Sequence, residues 1–162
     1  MDDESPGVVL VSACLLGFAC RYDGTSKSDI DDGLINGALC VPICPEQMGG
    51  LPTPRDASVF IGGHGQDVIA GRARLEDVQG RDVTQNFILG ALHACRVAEL
   101  VGADRAILKE KSPSCGTHMV TVDGLIRPGI GVTAAMFLDS GMQIMNEEGI
   151  AFGQEGKGIE PG

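Results

Sequence analysis

Val8-Val9-Leu10-Val11-Ser12-Ala13-Cys14 is the stretch on which the fold turns. It is short, continuous, rich in valine, and stops at a cysteine. Such a run fits a strand buried on both faces of a sheet. Two further runs behave alike. Ala38-Leu39-Cys40-Val41-Pro42-Ile43 stops at Cys44, and Ala106-Ile107-Leu108 leads into the loop that carries Cys115. If the three are neighbouring parallel strands, their carboxyl ends share one edge, which is where open α/β sheets build ligand sites.

The segments between these runs supply the rest of an α/β pattern. Ser28 to Asn36 is expected to be a short helix with Ser28 as N-cap, which makes the first two strands a right-handed βαβ unit. Cys44 to Arg55 holds Pro45, Pro52 and Pro54 and reads as an ordered loop rather than a helix. Residues 58–61 and 67–75 read as a small hairpin turning through Gly62-Gly63-His64-Gly65. The clearest helix starts at Thr84, expected as its N-cap. Its apolar stripe is Phe87, Ala91, Ala94, Cys95, Ala98 and Val101, broadened by Ile88 and Leu92, and Gly102 ends it. Thr133 to Ser140 is a further helix, and Met142 to Asn146 a fourth strand with Glu147 and Glu148 at its end. The chain is expected to form one domain over residues 1–162, with a core from about 8 to 147 and a loose tail at 153–162.

Composition narrows the function. Net charge is -10, with 22 acidic against 12 basic side chains. That balance disfavours nucleic acid and anionic membranes as partners, since both are bound by clustered Lys and Arg. Arg72, Arg74 and Arg81 lie close in sequence, but a solvated face is the expected reading. One Tyr and no Trp leave no stacking platform for single-stranded nucleic acid. No apolar run is long enough to span a bilayer, and the acidic Met1-Asp2-Asp3-Glu4 lacks the features of a signal peptide. The expected location is the cytoplasm, where six cysteines serve as thiols or metal ligands rather than disulfides.

Cys14, Cys44 and Cys115 occupy loops of small residues at strand ends. Backbone N–H groups in such loops can stabilise thiolate or cluster sulfur. Three cysteines form an incomplete set for a closed structural zinc site, whereas a 4Fe–4S cluster on three cysteines keeps one iron open as a Lewis acid with a preference for sulfur. Cys20, six residues past Cys14, is a loop residue that can pack against the sheet, serve as a fourth ligand or accept sulfur. Cys40 and Cys95 fall inside elements and read as core. His118, three residues after Cys115, offers a mixed zinc site, though a hydrogen-bonded histidine is the simpler reading there, as for His64 and His93. Glu46, two residues past Cys44 and aimed by Pro45, is placed for proton transfer.

Taken together, Val11-Ser12-Ala13-Cys14-Leu15-Leu16-Gly17, Cys20-Arg21-Tyr22-Asp23-Gly24, Cys44-Pro45-Glu46, Gly49-Gly50-Leu51-Pro52-Thr53-Pro54-Arg55, Asp82-Val83-Thr84, Ser112-Pro113-Ser114-Cys115-Gly116 and Gly129-Ile130-Gly131-Val132-Thr133-Ala134 resemble the thiouracil desulfidase family. The likeness runs from about residue 8 to 147. It implies a Rossmann-like, three-layer α/β domain with a mainly parallel sheet, and a 4Fe–4S cluster on Cys14, Cys44 and Cys115 with one open iron. It implies non-redox removal of sulfur from a thiolated pyrimidine, giving the oxo base and sulfide. Glu46 would be the acid/base residue and Ser114, or else Ser112, the serine that positions substrate or relays a proton. Apart from the resemblance, Ser112 and Lys109 are expected to face the substrate, Lys109 as a cation able to stabilise negative charge on the ring. Asp56-Ala57-Ser58-Val59-Phe60 and Thr121-Val122-Asp123 depart from the family pattern and bear on substrate preference. The competing readings are a non-catalytic zinc module on Cys14, Cys20, Cys44 and Cys115, and a sulfur transferase carrying a persulfide on Cys20. Oligomeric state is not readable.

Overall fold

The computed structural model describes residues 7–28 and 30–154. Four parallel strands form the principal sheet: β1 (Val8–Ser12), β2 (Leu39–Ile43), β5 (Arg105–Leu108) and β8 (Gln143–Asn146), in the spatial order β2-β1-β5-β8. Val9 and Val11 alternate with Leu10 between its faces. Leu10, Ala106, Leu108 and Ile144 pack on Ala94 and Ala98 of α4 (Thr84–Val101) and on Ala134, Ala135 and Phe137 of α5 (Val132–Asp139). Val9, Val11 and Ile107 meet Leu15, Cys20 and Leu34 on the other side. Helices and a looped layer thus cover both faces, as a parallel sheet requires. The strand order reverses between β1 and β5, so the crevice beyond their carboxyl ends is the topological switch point.

A second sheet was not foreseen in the sequence. It consists of β3 (Ser58–Ile61), β4 (Arg74–Asp77), β6 (Met119–Val122) and β7 (Leu125–Pro128), in the order β4-β3-β6-β7. β6 and β7 form a hairpin across Asp123-Gly124, both at positive φ (51° and 82°), the backbone that an Asp-Gly turn favours. β3 and β4 pair antiparallel as expected, but residues 67–75 are not one strand. The helical turn α3 (Gly65–Ile69) intervenes, with the Asp67 carboxylate accepting from the His64 N–H at 3.1 Å. α4 serves both sheets, burying Phe87 and Ala91 against the second and Ala94 and Ala98 against the first.

Other boundaries also moved. The helix expected from Ser28 shrinks to α1 (Asp32–Ile35), because the Asp31 carboxylate accepts from Gly33 N–H at 2.8 Å and caps it; Ser28 has φ of 38° and lies outside. Thr84 is the first helical residue of α4, not its cap. Its N–H bonds to Asp82, while its hydroxyl accepts from Leu75 N–H at 2.9 Å and ties the helix to β4. Leu92 is exposed. The proline-rich segment after Cys44 begins with a helical turn, α2 (Pro45–Met48), since proline suits the first helical position. Gly49 and Gly90 let α2 meet α4 backbone to backbone. A Cβ on Gly90 would fall 1.9 Å from the Pro45 carbonyl oxygen, and one on Gly49 1.9 Å from that of Asn86. The turn carrying Cys44 and Glu46 is thereby seated on the longest helix. Within the described residues no helix is long and apolar enough to cross a membrane. Of the tail expected at 153–162, residues 155–162 lie outside the described residues.

Candidate active site

A cavity of about 390 Å³ opens at the switch point. Cys14 enters it from the 3₁₀ turn after β1, Cys44 from the end of β2, and Cys115 from the loop after β5, three adjacent strands. Glu46, Lys109, Ser112 and Ser114 line the same space, so all seven residues singled out in the sequence converge there. Cys20 lines it too and is buried. Cys40 and Cys95 are half-buried and packed against hydrophobic cores, as expected.

The loop from Ser112 to Cys115 is fixed from two directions. The first N–H groups of α5 donate outward to it, Val132 to the Pro113 carbonyl at 3.0 Å and Thr133 to that of Ser114 at 2.9 Å, so the free donors of a helix start hold the loop. Inside the loop, the Ser112 Oγ accepts from the N–H groups of Ser114 (3.2 Å) and Cys115 (3.1 Å). With its lone pairs so engaged, its proton points to the Ser114 Oγ, 3.0 Å away. The Ser114 hydroxyl in turn reaches Glu46 Oε2 at 3.1 Å and the Cys115 sulfur at 3.6 Å. The geometry therefore separates the two serines: Ser114 touches the carboxylate, and Ser112 stands one step behind it.

Glu46 is held on its other oxygen by Arg55, whose Nε donates to Oε1 at 3.0 Å; the two side chains are only 15% and 6% exposed. Lys109 lines the cavity, but its ammonium is engaged by Glu147 (3.2 Å) and the Glu110 carbonyl (2.8 Å). Burial, then repulsion from Cys20, pushes the Cys14 thiol up to about 12, against the pull of Lys109. Burial, then Cys44, does the same to Cys20, also to about 12. Cys115 rises to about 12 by burial despite hydrogen bonds from Ser12 and Ser114. Soft sulfur donors gathered in one cavity suit a thiophilic metal, which would displace their protons on binding, and the donor set fits an iron–sulfur cluster. Among the described residues, no three Cys, His, Asp or Glu side chains converge on a point that one metal ion can occupy. His118 is committed elsewhere, with Nδ1 3.0 Å from Glu110 and Nε2 3.0 Å from the Ala151 carbonyl.

Three contributors escaped the sequence reading. Arg55 closes the Gly49–Arg55 motif, and its place nine residues after Glu46 across two prolines gives no periodic signal. Ser12 accepts from Lys109 N–H at 2.9 Å. Glu110 is a buried acid whose partners come from residues 111–119 and from Asn146. Arg72, Arg74 and Arg81 each pair with a nearby acid at the surface and stand away from the cavity.

Fold and cavity together define the class: a Rossmann-like α/β protein with a thiol-rich ligand site at the switch point of its sheet. The family model for 2-thiouracil desulfurase matches residues 9–149, and the chain belongs to that family. An uncharacterized protein of Bacillus subtilis (strain 168), YbbK, is 39% identical over 144 residues, spanning 86% of this chain and 95% of its own. Among solved structures, the [4Fe-4S]-dependent thiouracil desulfidase TudS superposes with a TM-score of 0.74 at 35% identity, covering 88% of this chain and 91% of that one.

Proposed function

We propose that this protein is an iron–sulfur-dependent desulfidase that hydrolyses the C=S bond of a thiolated pyrimidine to the oxo base and sulfide. The observation that carries the reading is the convergence of Cys14, Cys44 and Cys115 with the Ser112–Ser114–Glu46 hydrogen-bond chain on one cavity. Cys14, Cys44 and Cys115 would hold the cluster. When bound, the cluster supplies an open iron, a Lewis acid with affinity for the thiocarbonyl sulfur.

The chain's own groups do the rest. Glu46 Oε2 takes a proton from the water that adds to the ring carbon. The Ser114 Oγ, in contact with both Glu46 and the Cys115 sulfur, carries a proton between the carboxylate and the reacting atoms, with Ser112 fixing its direction. Water contributes its oxygen to the base and its protons to the sulfide, so no electrons are exchanged. The Lys109 ammonium, held at the cavity wall by Glu147 and the Glu110 carbonyl, favours negative charge on the ring as it develops. The cavity takes a small ligand, and the chain's charge of -10 favours a small thiopyrimidine over nucleic acid. Six cysteines with no disulfide between them among the described residues suit the reducing cytoplasm, and a single domain with its core at about residues 8–147 carries the activity.

The test is anaerobic reconstitution with iron and sulfide, followed by a sulfide-release assay on 2-thio and 4-thio pyrimidines. Brown protein that releases sulfide stoichiometrically with the oxo base is expected. Colourless protein that binds zinc, or a sulfur adduct on Cys20 after turnover, would overturn the reading.

A further inference from the structure

The guanidinium of Arg55 touches more of the site than any other side chain outside the expected set. Its Nε donates to Glu46 Oε1 at 3.0 Å, and its second terminal nitrogen donates to the Cys20 carbonyl, also at 3.0 Å. The remaining nitrogen donates to Thr53 Oγ1 (3.0 Å) and the Pro52 carbonyl (3.2 Å), which fixes the plane of the fork. Its backbone N–H donates to the Tyr22 carbonyl at 2.7 Å. Two segments that do not otherwise share an element are therefore gripped by one residue. One is the α2 turn with Glu46; the other is the cavity-lining loop that carries Cys20, Arg21 and Tyr22.

We propose that Arg55 is a positioning residue that locks Glu46 and the Cys20–Tyr22 loop into one unit, so that Oε2 alone is left to meet Ser114 and the reacting atoms. This rests on the reading of Glu46 as the proton-transfer group. A carboxylate anchored through one oxygen by a planar fork has its other oxygen held in a single direction. Lysine keeps the charge but cannot grip Glu46 and Cys20 together.

The test compares Arg55→Met and Arg55→Lys with the unaltered protein, alone and in a Glu46→Gln background. With cluster content unchanged, kcat is expected to fall on the order of tenfold to a hundredfold, with KM shifting by less than about threefold. Added guanidinium, but not methylammonium, should restore part of the Arg55→Met loss, and Arg55→Met should cost little more once Glu46 is already Gln. Independently of activity, amide exchange in the cluster-free protein should quicken together in residues 18–24 and 44–48. Arg55→Lys, the milder change, keeps this readout available if Arg55→Met folds poorly. Full kcat, a loss that tracks cluster content, or exchange confined to one segment would overturn the proposal. An unaltered protein that releases no sulfide would instead sink the desulfidase reading, and the exchange experiment would still decide the role of Arg55.

Discussion

Glu46 and Glu110 border the same cavity, and their surroundings could hardly differ more. Glu110 sits just past β5 with both oxygens saturated. One accepts from the N–H groups of Thr117 (3.0 Å), His118 (2.9 Å) and Met119 (3.0 Å), and more distantly from Lys111 (3.3 Å). The other meets the Thr117 hydroxyl (2.8 Å), His118 Nδ1 (3.0 Å) and Asn146 Nδ2 (3.1 Å). Burial on its own would raise its pKa, but the N–H groups of Met119 and His118, with Asn146 and Thr117, outweigh burial and hold it at about 2. Glu46 has one arginine on Oε1 and one hydroxyl on Oε2. A carboxylate whose lone pairs are all occupied by fixed donors is a structural anchor. One that faces a cavity through a hydroxyl keeps the capacity to exchange a proton.

Substitutions should separate the two regions most sharply at Glu46. Glu46→Gln is expected to retain the brown cluster and lower kcat on the order of a hundredfold or more; steady-state sulfide release alongside iron content checks this, and full activity would erase the contrast. Cys14→Ser, Cys44→Ser and Cys115→Ser should instead lose the cluster, seen as lost visible absorption. Next in size, Ser114→Ala should cost on the order of tenfold to a hundredfold in kcat, and Ser112→Ala less, because Ser112 acts only through Ser114. Reversal of that order in rate assays would place the relay on the wrong serine.

Glu110→Gln should act on stability rather than turnover. Its amide turns a donor toward groups that already donate, and with the pKa near 2 in the fold against 4.5 without it, the expected loss is about 3 kcal/mol at neutral pH. Thermal unfolding of the cluster-free protein measures it. The smallest effect is the pH dependence. Because the folded pKa is depressed, the contribution is complete above about pH 4.5 and fades as pH falls toward 2. The difference in melting temperature between the unaltered chain and Glu110→Gln should narrow over that window, and a constant difference would mean that the carboxylate's charge is not what the anchor supplies.

Cys14, Cys44 and Cys115 were legible because strand ends are written locally: an apolar run stops, a small-residue loop follows, and the sheet topology does the gathering. The β6–β7 hairpin carries an Asp-Gly turn signal at Asp123-Gly124 between the β-prone Val120-Thr121-Val122 and Leu125-Ile126; the turn α2 is masked because prolines hide a helix start when they are read as breakers. Arg55 and Glu110 left no such mark. Each draws its role from partners brought near by folding, across 35 residues between Arg55 and Cys20 and 36 between Glu110 and Asn146.

The order of residues alone determined that strands alternate with helices, which cysteines end them, and that Glu46 and the Ser112–Cys115 loop accompany those ends, because hydrophobic periodicity and turn chemistry act over a few neighbouring positions. Only the tertiary structure decided which serine meets the carboxylate, which acid anchors and which one is free to work, and what holds Glu46 in place, because hydrogen bonds form between atoms a few ångströms apart whatever their separation along the chain.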